Sequence, residues 1–338
     1  MTVLITGGAG YIGSHTCLEL IEKGHNVVIV DNMSGSRAEC VSRLRRISGV
    51  DIPVYWNDLQ NEEQLDKIFT EYEIDCVLHI AALKGVGESI LKPLVYYRNN
   101  LQSTMTLCEV MEKHDVKKLI FSSSASVYSN ENEMPITEKS TTGNCSTPYG
   151  WTKYMCEQIL TDIAAAGPDW SVIILRYFNP IGAHASGDIG EDLAGMPSQL
   201  LSRITQTVLG KFETMPVYGT DYPTPDGTCL CDYTHVTDIA KGHSAAVAYS
   251  REHKGAEVFN LGTGRGVSVF EVIKAFESVT GVIVPKTLMS RRPGDLPAVY
   301  TTTDKAANIL NWCAEKTIED GCADSWRWHS KNPEGYGF

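Results

Sequence analysis

The chain has 338 residues, 43% of them apolar and 21% charged, and a formal net charge of −12. That length allows one large or two modest domains around a substantial core. An acidic balance without a basic stripe speaks against nucleic acid as a partner, and no apolar run reaches the ~18 residues that a membrane span needs. The first expected strand starts at residue 3, so no leader or transit peptide is expected. The ten cysteines are scattered and read as reduced, mostly buried thiols of a cytoplasmic protein.

Val3-Leu4-Ile5 reads as a buried strand that runs straight into Gly7-x-x-Gly10-x-x-Gly13. A helix follows, turning Ile12, Cys17, Leu18 and Ile21 inward and stopping at Gly24. Such glycines let the backbone turn sharply and approach a pyrophosphate, and the helix N-terminus offers it free N–H groups and a positive dipole end. A second strand over 27–30 ends in Asp31, placed to accept hydrogen bonds from an adenosine ribose. It would repel a 2′-phosphate, which favours NAD over NADP.

Next come a strand over 53–56, a helix over 62–72, a strand over 76–80 and a helical stretch over 101–113. A strand over 119–121, a helix from about 149 to 165 and a strand over 171–176 complete the alternation. Repeated βα units with continuously apolar strands predict a doubly wound parallel sheet of Rossmann type with right-handed crossovers. Every strand ends in polar or glycine residues: the glycine turn, Asp31-Asn32, Asn57-Asp58, Ala81-Ala82-Leu83-Lys84, Ser122-Ser123-Ser124 and Tyr177-Phe178-Asn179. The ligand crevice of such a sheet lies outside these carboxyl ends. A cofactor domain over 1–180 is therefore expected. Past residue 180 glycines and prolines break the alternation, and a smaller α/β substrate lobe is expected over 181–338, with some crossing of the chain between the two.

Tyr149-Gly150-Trp151-Thr152-Lys153 puts a phenol and an ammonium one helical turn apart on one face. A free phenol, with a pKa near ~10, is too weak an acid to serve as a base at neutral pH. A neighbouring cation favours the phenolate and brings it within reach of general-base work. Ser124, at the tip of a strand, is placed to share a substrate hydroxyl. Cys229-x-Cys231 with His235 supplies too few ligands for a four-ligand zinc site, and no metal is expected.

From end to end the chain resembles the extended short-chain dehydrogenase/reductase family, and in particular its UDP-glucose 4-epimerase group. The carrying stretches are residues 6–16, Leu83-Lys84-Gly85-Val86-Gly87-Glu88-Ser89, residues 122–128, Pro148-Tyr149-Gly150-x-x-Lys153, residues 175–184 and Arg292-x-Gly294-Asp295-Leu296-Pro297-Ala298. The resemblance implies a redox cycle with no net redox. Tyr149 takes the proton of the sugar 4-hydroxyl, tightly held NAD takes and returns the C4 hydride, and a transient 4-keto sugar turns over beside enzyme-bound NADH. It also implies the site. The cofactor falls to Gly7, Gly10, Tyr11, Ile12, Gly13, Asp31, Asn32, Ser36, Asp58, Leu59, Ala81, Lys84, Asn99, Ser122, Tyr149, Lys153, Tyr177 and Phe178. The UDP-sugar falls to Ser124, Tyr149, Phe178, Asn179, Gln199, Leu200, Tyr218, Cys231, Tyr233, Arg292, Asp295 and Val299. A homodimer is implied as well.

Three positions depart from the group. Cys231 stands where an arginine would grip the UDP diphosphate, and a neutral thiol makes no charge-assisted bond to phosphate. Weaker UDP-sugar binding, or compensation by Arg291 or Arg292, is expected. Gln199 replaces an asparagine one methylene shorter. Val299 stands where a tyrosine or a small residue is found; the small residue leaves room for a 2-acetamido group, so UDP-GlcNAc and UDP-GalNAc are expected substrates too. The competing readings are another sugar-nucleotide epimerase or dehydratase of the family, a net dehydrogenase, and an NAD-binding protein impaired at Cys231. A dehydratase needs carboxylates directly after Ser124, and Ala125-Ser126 supplies none.

Overall fold

The computed structural model describes residues 1–192, 199–292 and 295–337. Its first half is built from β1 (Thr2–Thr6), α1 (Tyr11–Glu22), β2 (Asn26–Val30), α2 (Ala38–Ser48), β3 (Val54–Tyr55), α3 (Glu62–Glu71) and β4 (Cys76–His79). There follow α4 (Val86–Leu91), α5 (Pro93–Lys113), β5 (Lys118–Ser124), a 3₁₀ turn (Ala125–Val127), α6 (Pro148–Ala166) and β6 (Ser171–Tyr177). The second half holds β7 (Asn179–Ile181), α7 (Leu200–Val208), β8 (Met215–Tyr218), β9 (Leu230–Cys231), β10 (Tyr233–His235), α8 (Val236–Tyr249) and β11 (Gly255–Leu261). It ends with β12 (Val267–Ser268), α9 (Val269–Thr280), β13 (Lys286–Met289), β14 (Ala298–Val299), α10 (Asp304–Leu310) and α11 (Ile318–Lys331).

Seven strands form one sheet in the order β11-β6-β5-β4-β1-β2-β3, and every pairing in it is parallel. The sheet is covered on both faces. Val3, Ile5, Val27 and Ile29 pack with Leu20 of α1, Leu44 of α2 and Ile239 of α8. Leu4, Val28 and Val77 pack on the other face with Phe69 of α3, Leu107 of α5 and Leu160 of α6. Two apolar faces explain why the strands read as unbroken apolar runs.

The last strand arrives late. After β6 the chain leaves to build the substrate lobe, then returns through α8 to place β11 beside β6, with Phe259 opposite Leu175. Near the crevice, β9 lies between β12 and β14, and β7 pairs with β10. The lobe has its own core around Ile204, Val217, Val272, Phe276 and Cys322.

Around the main sheet, α4 and β11 have no counterpart in the sequence reading, and two further elements exceed it. α2 turns only Cys40, Val41 and Leu44 inward, too short a stripe among its arginines and serines to show as a helix. α5 starts at Pro93, well before 101, because Leu94 and Val95 in its first turn face outward and interrupt the inward periodicity. All ten cysteines are free thiols, seven of them buried. Among the described residues no helix is long and apolar enough to cross a membrane, and no three His, Cys, Asp or Glu side chains could hold a metal.

Candidate active site

At Gly7, Gly8 and Gly13 the glycine turn leaves no room for side chains. Gly7 has φ +70°, and a Cβ there would lie 2.8 Å from the Ala81 nitrogen; one at Gly13 would lie 2.1 Å from the Gly7 carbonyl oxygen. Gly10 is the N-cap of α1, which among the described residues has neither a side-chain cap nor an acidic residue in its first turn. Its first N–H groups and positive dipole end are thus left for an anion. Ile12, next along the turn, packs against the main core.

Asp31, at the tip of β2, is buried. One carboxylate oxygen accepts from the Ala9 N–H at 3.1 Å, the other from the Met33 N–H at 2.9 Å and the Ser36 hydroxyl at 2.7 Å. The acid therefore ties the glycine turn to its own loop. At the tip of β3, Asp58 accepts from the Asn32 amide at 3.1 Å, with Leu59 buried behind it. Lys84 stands 5.9 Å from the Tyr11 ring and 3.4 Å from Glu191. The Tyr11 hydroxyl donates to the Gly182 carbonyl at 2.6 Å.

α6 begins with Pro148 and is capped by the Thr147 hydroxyl, which accepts from Gly150 N–H. Its first turn presses on the 3₁₀ turn so closely that a Cβ at Gly150 would lie 2.6 Å from the Ser126 carbonyl oxygen. This brings Tyr149 to Ser124. Tyr149 is buried, and burial raises its pKa while the hydrogen bond with Ser124 pulls it back. Lys153 is buried one turn on; its ammonium donates to the Ser122 carbonyl at 2.6 Å and lies 4.7 Å from the Phe121 ring. Burial pushes its pKa down to about 8, against the opposing pull of Cys156 and Glu157.

The substrate side is assembled from distant segments. Cys231 is the register partner of Val299, side by side on parallel strands β9 and β14. Tyr233 pairs with Asn179, whose amide donates to the Asp232 carbonyl at 2.9 Å. Phe178 packs with Val127, Tyr128, Ile136 and Val299. Arg292 makes a two-point pair with Asp295 at 2.9 and 3.2 Å and lies 4.7 Å over the Tyr218 ring. Arg291 is engaged by Asp221 at 2.8 Å. Gln199 is the N-cap of α7, and Leu200 its first residue; Leu200 and Cys231 both border the lobe core that contains Tyr233. The Cys231 thiol is pushed up to about 12, chiefly by burial.

The model of the NAD dependent epimerase/dehydratase family matches residues 3–262. The chain belongs to the NAD dependent epimerase/dehydratase family. A UDP-glucose 4-epimerase of Bacillus subtilis (strain 168) is 51% identical over 99% of both chains. The crystal structure of UDP-glucose 4-epimerase from Bifidobacterium longum in complex with NAD⁺ and UDP has a TM-score of 0.95 and 48% identity, covering 99% of this chain and 100% of that one. The UDP-Glc/GlcNAc 4-epimerase of Campylobacter jejuni has a TM-score of 0.86 and 34% identity, covering 98% of this chain and 99% of that one.

The cradle fits the cofactor that the family requires. Gly7 and Gly13 admit no Cβ, the first turn of α1 carries no acid, and the buried carboxylate of Asp31 is tied to the Ala9 N–H of the turn. Several supporting residues of this family member escaped the sequence reading. Asn100, beside the expected Asn99, holds the Leu83 backbone through both amide atoms and donates to Thr152 at 2.9 Å, so the Lys84 loop and α6 share one anchor. Glu157 pairs with Arg176 at 2.5 Å in the interior and accepts from the Ser123 hydroxyl. The only sequence signal for either was a polar residue on an otherwise inward helix face.

Proposed function

We propose that the chain interconverts UDP-glucose and UDP-galactose, with NAD kept in the protein as a built-in redox partner. The observation that carries this is the meeting of Tyr149, Lys153 and Ser124 at the same sheet edge as the glycine cradle. NAD, when bound, would supply hydride-acceptor and hydride-donor chemistry toward C4 of the sugar. The protein does the rest. Tyr149 takes the proton of the 4-hydroxyl and Ser124 shares that hydroxyl. Lys153, charged at neutral pH, favours the phenolate that burial alone opposes. Asn179, Gln199, Leu200, Tyr218, Tyr233, Arg292 and Asp295 hold the nucleotide, so that the sugar turns while UDP stays put. Ala125-Ser126 forms the 3₁₀ turn after Ser124 and brings no carboxylate, which favours epimerisation over dehydration.

The same reading extends to 2-acetamido sugars. Val299 is half-buried beside Phe178 and opposite the short Cys231, leaving volume that a tyrosine would fill. Purified protein given UDP-galactose or UDP-GalNAc without added NAD should convert both. No conversion of UDP-galactose would refute the epimerase reading; failure with UDP-GalNAc alone would refute the wider sugar range.

The chain is further read as a homodimer of the cytoplasm. Leu91 of α4 is 82% exposed and Leu94 of α5 is 76% exposed. Val95 and Met105 of α5 and Met155 of α6 are exposed with them, and α5 packs on α6. A second copy laid on these two helices covers the patch. Light scattering should give twice the 37.2 kDa chain mass; a monomer would overturn the dimer.

A further inference from the structure

His243, on α8, is completely buried and is not among the expected site residues. Its Nδ1 sits 3.0 Å from the Ile239 carbonyl oxygen and 3.5 Å from the Thr16 hydroxyl. A carbonyl only accepts, and Thr16 spends its one proton on the Ile12 carbonyl at 2.9 Å. Nδ1 must therefore carry the hydrogen, which leaves Nε2 as an acceptor. Burial lowers the pKa of this imidazole to about 4, so it is neutral at physiological pH. Nε2 faces the Tyr177 hydroxyl at short range. Tyr177 must donate to it, and so accepts from the Ser122 hydroxyl at 2.7 Å. The carbonyl of the same Ser122 receives Lys153.

The result is a chain of single-proton groups, Ser122 to Tyr177 to His243, with every proton given away from the crevice. We propose that His243 is a positioning residue for the Tyr149–Lys153 pair. It fixes the direction of this chain, and through Tyr177 and Ser122 it fixes the end of β5 where Lys153 docks. It also commits the proton of Tyr177, a second buried phenol close enough to Tyr149 to feel its charge, so that the reacting proton passes only between the substrate, Tyr149 and Ser124. This rests on the epimerase reading.

Glutamine and methionine match each other in length and volume, but only the amide oxygen of glutamine accepts a hydrogen bond where Nε2 stands. His243→Met should lower kcat on UDP-galactose about tenfold at unchanged KM, and His243→Gln should stay within threefold of the parent, with equal bound NAD and equal Tm. Equal losses of kcat in the two variants, or a His243→Met enzyme as fast as the parent, would overturn the proposal. An inactive parent would instead refute the epimerase reading. Should neither variant fold, ¹⁵N-histidine NMR of the parent decides: His243 carrying its proton on Nδ1 throughout pH 6–9 supports the proposal, and a proton on Nε2 overturns it.

Discussion

The cofactor cradle and the proposed substrate rim are made in opposite ways. The cradle is contiguous: residues 7–13 supply the turn, its clearance and the helix terminus, and Asp31 closes it two elements later. The proposed rim draws on residues 178–179, 199, 218, 231–233, 292, 295 and 299, carried largely by the short strands β7, β8, β9, β10 and β14. A contiguous site constrains each residue tightly, because Gly13 has a neighbouring carbonyl 2.1 Å from its absent Cβ. A dispersed site tolerates change, and the three positions expected to depart from the UDP-glucose 4-epimerase group, Gln199, Cys231 and Val299, all fall there.

The sharpest way to break this contrast is Gly13→Ala, which should yield protein with less than a tenth of the parental bound NAD, read from absorbance after denaturation. A full complement of NAD would mean the cradle is not tightly built. Tyr149→Phe should retain NAD yet lose about 10²- to 10⁴-fold in kcat, the range of a positioned acid-base group; a smaller loss would move the base elsewhere. On the rim, Cys231→Arg should lower KM for UDP-galactose about tenfold or more, since a charged hydrogen bond contributes about 1.5–3 kcal/mol. An unchanged KM would show that the pocket no longer needs that cation, even though Arg291 and Arg292 are already paired with Asp221 and Asp295.

The smallest expected effect concerns pH. Lys153 titrates near 8 in the folded protein against an ordinary 10.5, so between these values the unfolded chain binds more protons. Stability from this group rises with pH across that window. Above about pH 10 the raised Tyr149 opposes it, since the folded state then holds the extra proton. Nine cysteines, held above their ordinary 9.0 chiefly by burial, oppose it from about pH 9. The change in Tm from pH 8 to 10 in NAD-free protein should therefore be less favourable in Lys153→Met than in the parent. An identical change would place the buried ammonium in contact with water.

Legibility in the sequence followed the same division. Six strands of the parallel sheet, the glycine turn and the Tyr149–Lys153 pair were readable because each strand, turn or helix is a single continuous stretch. α2 was not, because three inward residues among charged ones make no periodic signal. Nor were Asn100, Glu157 and His243, whose contacts with Leu83, Arg176 and Tyr177 span 17, 19 and 66 residues. No pattern along the chain marks a buried polar side chain as satisfied. The register of Cys231 against Val299 was equally hidden, since two-residue strands leave no alternation to read.

The late return of β11 bears on biogenesis. A ribosome must deliver 261 residues before the outer neighbour of β6 exists, so an emerging chain holds β6 as an uncovered edge while the whole of 182–254 is being made. An open parallel edge invites pairing with other chains. Expression hosts short of chaperone capacity should thus lose this protein to aggregation during synthesis rather than after it, and a fragment ending near residue 180 should be insoluble, however complete its cofactor cradle.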